Sequence, residues 1–174
     1  KQSGERYDGL FRWESGGDVG DTYSYSPPPG DKHRSLEGTI GVRMLAAGPL
    51  VGALEVTGRV RRGWEWVDVK AVLSLYDGSP VLRVTIEVDN QASDHRLRLR
   101  IPTGLPGAGA IAGAAFGSEM REAVRVNAEG YPRETPVATA PAHRFVASAS
   151  PGRGLALFAP AFFEYELTPE GDLL

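Results

Sequence analysis

Residues 82–101, LRVTIEVDNQASDHRLRLRI, carry the clearest periodic pattern in the chain. Apolar and polar residues alternate on either side of a short polar centre, so each half predicts one β-strand. One face of the two predicted strands carries Leu82, Val84, Ile86 and Val88, followed by His95, Leu97, Leu99 and Ile101. The other face carries Arg83, Thr85, Glu87 and Asp89, followed by Arg96, Arg98 and Arg100. One packed face and one polar face are typical of antiparallel sheets.

The same alternation continues upstream of this stretch. Residues 54–61 alternate between apolar and polar side chains, and residues 67–75 carry an apolar residue at every second position. Residues 77–80, Asp-Gly-Ser-Pro, predict a turn, because Asp, Gly and Pro each favour turn geometry. We therefore expect a meander of long antiparallel strands.

The downstream part of the chain predicts shorter elements. Residues 103–118 are rich in glycine and alanine and predict a long loop, and residues 119–126 predict a strand. Residues 127–143 hold Pro132, Pro136 and Pro141 and predict a long exposed or clamping connection. Three more short strands are predicted at residues 144–149, 155–159 and 162–167.

Length and composition agree with this all-β interpretation. The 174 residues suffice for a sizeable core, and the 22 glycines and 13 prolines favour many turns. One-sided strands are buried when two sheets pack face to face, so we predict a large twisted antiparallel two-sheet sandwich over residues 1–174, with a closed barrel as the alternative. The chain begins without methionine and stops as an apolar run begins, so we expect a single domain cut from a longer protein.

Charge and composition exclude several classes of function. The 19 basic and 22 acidic residues give a net charge of −3, which does not favour nucleic-acid binding. The run Arg59, Arg61 and Arg62 predicts a solvated strand end. The chain has no cysteine, which excludes disulfides and thiolate zinc sites and is compatible with a reducing compartment. Without a signal peptide or an apolar run of about 20 residues, we expect a cytoplasmic protein with no membrane partner.

A cluster of polar and aromatic residues lies between residues 18 and 29, DVGDTYSYSPPP. In an extended backbone, Asp21, Tyr23 and Tyr25 point to the same side. A carboxylate that accepts hydrogen bonds from two hydroxyls, beside phenol rings that cover a C–H face, suits a sugar, and Trp13 is close enough in sequence to join them. The alternative is a strand end that leads into a proline-rich turn.

A second cluster covers residues 89–98, DNQASDHRLR. Residues 90–93 predict a tight connection between two strands. His95 lies on the apolar face of the following strand, where a lone histidine is more often a hydrogen-bonded core residue than a ligand. Asp94 is predicted to orient the loop or to pair with Arg96.

Metal and nucleophile chemistry find little support in the sequence. The histidines His33, His95 and His143 are far apart, and no two of them have the spacing of zinc ligands. No Gly-x-Ser-x-Gly elbow or glycine-rich phosphate loop is present. Asp18 and Asp21 face opposite sides of an extended chain, so they do not form a glycosidase pair by spacing alone.

Three motifs in this order resemble bacterial α-mannosidases of glycoside hydrolase family 38. Residues 20–28, GDTYSYSPP, resemble the Gly-Asp-x-Tyr-x-x-x-Pro-Pro stretch of that family. Residues 88–103 contain VDN, DHRLR and IPT, similar to its Asn…Asp-His-Arg-Leu-Arg…Phe-Pro-Thr segment, with Ile101 where the family often has Phe. Residues 163–167, FEYEL, are similar to its Glu-Tyr-Glu-Val strand.

The resemblance implies a non-catalytic β domain of the galactose-mutarotase-like type, from a zinc-dependent retaining α-mannosidase. It implies that Tyr23 contacts the mannose-containing substrate with Asp21 beside it, and that the nucleophile, the acid and the zinc ligands belong to an upstream catalytic domain. No catalytic or metal residue carries over to this chain, which we expect to be inactive alone. An independent carbohydrate-binding module and a structural or interface domain remain as alternatives.

Overall fold

The computed structural model describes residues 6–21, 25–35, 37–126 and 136–174. These residues form thirteen β-strands and, within the described ranges, no helix. The strands are β1 Arg12–Gly17, β2 Glu37–Ala47, β3 Val51–Arg62, β4 Glu65–Tyr76, β5 Leu82–Asn90, β6 His95–Pro102, β7 Ala110–Ala114, β8 Gly117–Arg121, β9 Thr139–Pro141, β10 Phe145–Ser150, β11 Arg153–Phe158, β12 Glu164–Glu166 and β13 Asp172–Leu173. The all-β prediction is therefore confirmed, and no described helix is long and apolar enough to cross a membrane.

Several strand predictions are confirmed, and others need correction. The strands predicted over residues 54–101 correspond to β3, β4, β5 and β6, and the three short C-terminal strands correspond to β10, β11 and β12. The predicted loop 103–118 is wrong in its second half, because β7 lies there. The strand predicted at 119–126 is β8, which ends at Arg121, and β9 lies inside the predicted connection 127–143. Alanine and glycine tracts conceal strands because small residues carry little of the alternating apolar signal.

The chain divides into two compact units. One contains the segment that ends at Arg12 together with Arg98–Leu174, and the other contains Trp13–Leu97. The division falls inside β6, so the chain passes from one unit to the other within a strand. The single domain predicted over residues 1–174 stays a prediction.

The Trp13–Leu97 unit is built around the meander β2-β3-β4-β5. The register joins Leu54 to Leu73 and Leu75 to Leu82, so alternate residues of all four strands share a side. We call one side the apolar face, which carries Val42, Met44, Leu54, Val56, Val60, Val67, Val69, Ala71, Leu73, Leu75, Leu82, Val84, Ile86 and Val88. The opposite side, the charged face, carries ion pairs between directly opposed residues. The meander prediction is confirmed.

The other unit contains the four-stranded sheet β11-β10-β7-β8, the pair β12-β9, and β13 on the end of β6. The hydrophobic core of this unit contains side chains from the four-stranded sheet and from the other strands. Its buried residues are Ala110, Ala112, Ala142, Val146, Tyr165, Leu167 and Leu173. Strands from different sheets thus share one core, which agrees with the predicted sandwich and not with a closed barrel.

Close backbone packing in this unit depends on a glycine. Gly113 in β7 accepts a hydrogen bond from the amide of His143 at 2.8 Å. A Cβ atom at this position would lie 2.0 Å from the carbonyl oxygen of His143. The backbone at His143 therefore reaches β7 only because residue 113 has no side chain.

Candidate functional site

The structure brings together the two polar clusters that the sequence singled out. The amide of Asp18 donates to the carbonyl of Asp94 at 2.9 Å. The guanidinium of Arg96 lies 5.0 Å from the centre of the Tyr25 ring, at the distance of a cation–π contact. Residues 18–21 and 25–26, which we call the first loop, and residues 90–96, which we call the second loop, therefore form one candidate site in the Trp13–Leu97 unit.

The first loop begins where β1 ends, at Gly17, and it closes on itself. One carboxylate oxygen of Asp18 accepts from the amides of Gly20 at 3.1 Å and Ser26 at 3.0 Å. The amide of Val19 donates to the carbonyl of Ser26 at 2.9 Å. The Asp18 side chain thus satisfies backbone donors that no strand pairs, as Asp commonly does in turns.

The residues predicted to contact sugar lie in this loop. Asp21 is exposed and Tyr25 is half-buried, while Tyr23 lies outside the described residues. The described part of the loop is not an extended strand, so the alternation argument does not decide on which side Asp21 and Tyr25 lie. Trp13 is only 7% exposed and belongs to the core of its unit, so the suggestion that it joins the sugar site is wrong.

The second loop is held by side chains on both sides of it. The Asn90 side-chain oxygen accepts from the amide of Ala92 at 3.0 Å, and a Glu65 carboxylate oxygen accepts from the amide of Ser93 at 3.1 Å. The backbone of Asp94 has a φ of 49°, a left-handed conformation that Asp tolerates better than most residues. The tight connection predicted at residues 90–93 is therefore confirmed, and Asp94 orients the loop through its backbone.

His95 is a half-buried residue held by hydrogen bonds, so the expected hydrogen bonding is confirmed, whereas the expected place in the core is wrong. Its Nε2 atom lies 3.0 Å from the side-chain oxygen of Asn90, and its Nδ1 atom lies 3.1 Å from the hydroxyl of Ser15. The Asn90 oxygen also accepts from an amide, so Nε2 carries the proton and Nδ1 accepts from the hydroxyl. Burial lowers the pKa of His95, and the positive charge of Arg62 lowers it further. The neutral tautomer is therefore fixed by its neighbours.

A third group of residues, which sequence reasoning missed, supports the base of the first loop. The amide of Gly17 donates to Asp31 at 2.6 Å, and Arg62 lies 3.3 Å from the other oxygen of that carboxylate. Arg62 also donates to the carbonyl of Ser15 at 3.4 Å. The hydrogen bond from Gly17 is the largest effect that lowers the pKa of Asp31, and Arg62 lowers it further.

The side chains of Arg62 and Asp31 are only 17% and 16% exposed. The prediction of a solvated strand end is therefore wrong for Arg62. Nothing in the spacing of residues 31 and 62 predicts this pair, because they are brought together by the bridge between Ser15 and Arg34 and by the course of β3.

A separate concavity of about 550 Å³ lies on the sheet of the same unit. Four of its charged side chains form two ion pairs, in which Arg59 lies 2.5 Å from Asp68 and Lys70 lies 2.5 Å from Glu87. The lining residues are Thr57, Gly58, Arg59, Asp68, Val69, Lys70, Glu87, Val88 and Asp89. These ion pairs already neutralise the charges that would otherwise recognise a ligand.

The described residues limit what this chemistry can be. No group of three or more His, Asp or Glu side chains converges to hold a metal ion within residues 6–21, 25–35, 37–126 and 136–174. The two loops instead bring together an arginine and a tyrosine, Arg96 and Tyr25, and the carboxylate of Asp21 in the first loop is exposed. This arrangement is able to bind and orient a polar ligand.

Comparisons with known proteins support the fold and extend the argument. No protein-family model matches the sequence, and no curated protein matches it. A solved structure of a glycosyl hydrolase family 38 protein from Enterococcus faecalis matches 99% of this chain with a TM-score of 0.84 and 19% sequence identity. An α-mannosidase from Enterococcus faecalis V583 matches 99% of the chain with a TM-score of 0.86 and 20% identity.

This chain spans about a quarter of the length of those two structures, 23% of the first and 22% of the second. The resemblance that the three motifs predicted is therefore confirmed for the fold, which matches a segment of larger α-mannosidase structures.

Proposed function

We propose that this chain is a non-catalytic β domain of a longer, zinc-dependent retaining α-mannosidase of glycoside hydrolase family 38. One observation carries the proposal: the fold matches a segment of α-mannosidase structures along 99% of this chain. The motifs at residues 20–28, 88–103 and 163–167 point to the same family independently of the fold.

The part of this domain in the reaction is to complete the mannoside pocket of an upstream catalytic domain. Asp21 and Tyr23 are the residues that we assign to the substrate. The closed geometry of the first loop supports this role, because Asp18 ties Gly20 and Ser26 together and leaves Asp21 exposed between them. A carboxylate on backbone that is held by hydrogen bonds is positioned at low entropic cost.

Zinc and the two catalytic carboxylates belong to another part of the longer polypeptide in this proposal. The described residues of this chain do not fit a metal, since no set of three possible ligands converges among them. We therefore assign this chain only binding and positioning, with no bond-making step. Purified residues 1–174 should not cleave an aryl α-mannoside when zinc is added, and cleavage would refute the division of roles.

The direct test replaces Tyr23 by Phe in the full-length protein. Loss of one hydrogen bond to the substrate should lower kcat/KM for an α-mannoside by about tenfold. Tyr76→Phe is the matched control, because this tyrosine lies in the meander with its ring under Arg83 and should leave kcat/KM unchanged. Equal values for the Tyr23→Phe variant and the parent would remove Tyr23 from the pocket.

An interface domain is the second candidate function, and the exposed apolar face of the meander favours it. This role is compatible with pocket completion, since one domain can do both. An independent carbohydrate-binding module requires the isolated chain to bind mannose oligosaccharides unaided. We expect no binding tighter than about 1 mM by calorimetric titration of residues 1–174.

A further inference from the structure

The apolar face of the meander is buried at one end and exposed at the other. In the central strands, Val60 is 0% exposed and Val67 is 1% exposed. Further along the same face, Leu75 is 50% exposed, and in the edge strand Met44 is 65% exposed. The face is thus continuous with a buried core, but most of its apolar side chains meet water.

From the pair Val60 and Val67 to the pair Leu75 and Leu82, every cross-strand pair of this face is uncharged, and only the end beyond Val60 carries charges, where Arg62 is opposite Glu65. The cross-strand partners Val42 and Val56, Met44 and Leu54, and Leu75 and Leu82 are all apolar. Monomeric soluble proteins rarely leave large contiguous apolar patches exposed. A covering surface is therefore required.

The charged face of the same sheet is the side that suits contact with water. Three ion pairs join directly opposed residues there, namely Arg43 with Glu55, Arg59 with Asp68, and Lys70 with Glu87. The sheet thus has one side built for water and one side built for burial.

We propose that a second β-sheet from the same longer polypeptide covers the apolar face. The proposal rests on the proposed function, in which this chain is one domain of a larger α-mannosidase. Three observations select this occupant. The face continues a core that is already buried, its cross-strand pairs from Val60 to Leu75 are uncharged, and the solved structures with this fold are more than four times as long.

Two methionines make the proposal measurable without any mutation. Met44 lies on the apolar face and is 65% exposed, and Met120 lies in β8, outside that face, and is 73% exposed. They are the only methionines in residues 1–174. Peroxide converts an accessible methionine to its sulfoxide, and a covered one reacts slowly.

The experiment oxidises the native full-length protein with hydrogen peroxide and follows both peptides by mass spectrometry, with free methionine as the rate standard. Cover by the same polypeptide predicts that Met44 reacts at least about tenfold more slowly than free methionine, at every protein concentration. Met120 is expected to react several times faster than Met44. Urea should abolish the difference.

Two results would overturn the proposal. Oxidation of Met44 at the rate of free methionine would mean that nothing covers the face. Protection that disappears on dilution, together with a monomer–dimer equilibrium in sedimentation, would assign the face to a second copy.

A substitution pair in β5 gives an independent check in the full-length protein. Ile86 lies on the apolar face, and Thr85, the preceding residue, points to the charged face and is also exposed in this chain. Ile86→Lys should lower Tm by several degrees, and Thr85→Lys should leave it within about one degree. Equal Tm values for both variants would contradict a covered face.

The test of the covered face can succeed or fail independently of the test of the proposed function. Tyr23→Phe tests the pocket through kcat/KM, whereas Met44 protection tests the cover without any turnover. An inactive full-length protein with a protected Met44 would refute the first proposal and retain the second.

Discussion

The four-stranded sheets of the two units differ in how much of their apolar side is buried. In the unit that contains Arg98–Leu174, Val146 and Ala110 are 0% exposed, and Leu173 from a different sheet is 1% exposed beside them. In the meander of the other unit, Val42 and Met44 are each 65% exposed. Alternation of apolar and polar residues identifies the apolar side of a strand. It does not show whether other residues of the chain bury that side.

The difference extends to how each unit is stabilised. The first unit relies on close apolar packing, to which Tyr165 and Leu167 also contribute. The second unit adds a polar network in which Ser15, Asp31 and Arg62 are mostly buried. We therefore expect packing substitutions to act most strongly in the first unit and pH to act most strongly in the second.

The largest effect is expected from Leu173→Ala. Leu173 is 1% exposed within the core of its unit, so the substitution leaves a cavity and should lower the free energy of unfolding by about 3 kcal/mol. Leu50→Ala is the control, because Leu50 is 72% exposed in the turn between β2 and β3 and should cost under about 0.5 kcal/mol. Urea denaturation of both variants measures the difference. Similar losses for both would break the contrast between buried and exposed leucines.

A smaller effect is expected from Gly113→Ala in the same unit. The new methyl group would meet the main-chain oxygen of His143, which has no rotamer to relieve the clash, so the cost should be about 2 kcal/mol. Gly117→Ala, in the paired strand β8, is the control because a Cβ atom there would have no neighbour within 4 Å. Thermal unfolding should separate the two. A neutral Gly113→Ala would mean that the backbone at His143 moves freely.

Much of the fold was predictable where strands are long and alternate strictly. Residues 82–88 and 95–101 predict β5 and β6, and Asp77 and Gly78 mark the turn between two paired strands. The strand β7 was missed, because Ala110–Ala114 contains small residues that pack closely and show little amphipathic contrast. The close packing of the His143 backbone against Gly113 depends on tertiary structure, so the sequence around either residue does not predict it.

The sequence identified the two segments of the candidate site, but it did not show that they lie next to each other. The motifs at residues 20–28 and 94–98 pointed to both loops, and the hydrogen bond between Asp18 and Asp94 joins them only in the fold. The supporting pair of Asp31 and Arg62 was missed, because its partners come together through tertiary structure. The contact of Tyr23 with a sugar stays a prediction.

In the Trp13–Leu97 unit, Asp31→Asn should weaken a charged hydrogen bond to the amide of Gly17 and the ion pair with Arg62. The expected loss at neutral pH is about 1 kcal/mol, since a charged acceptor is roughly twice as strong as a neutral one. The folded state lowers the pKa of Asp31, so this contribution is present above the usual carboxyl pKa of 3.8 and is lost as the pH falls through the lower folded value.

Urea denaturation from pH 7 down to the acid limit checks this prediction. The parent and the Asp31→Asn variant should converge in stability as the pH falls below about 4. A gap that stays constant to the lowest pH would show that the carboxylate charge does not stabilise the unit.

The smallest effect is expected from His95→Gln, which tests the same network in a different pH range. Burial and the charge of Arg62 lower the pKa of His95 below its usual 6.5. The unfolded chain therefore takes up a proton first as the pH falls below 6.5, and the parent loses stability until the pH passes the lower folded pKa. The glutamine variant has no such proton to take up, so its stability should change less over that interval.

Urea denaturation at about pH 8 and about pH 5 measures the slope for the parent and for the His95→Gln variant. At the higher pH the imidazole is neutral in both the folded and the unfolded state, so the difference in stability there measures the lost contacts with Ser15 and Asn90. Parallel slopes for parent and variant would place the pH sensitivity of this unit outside His95.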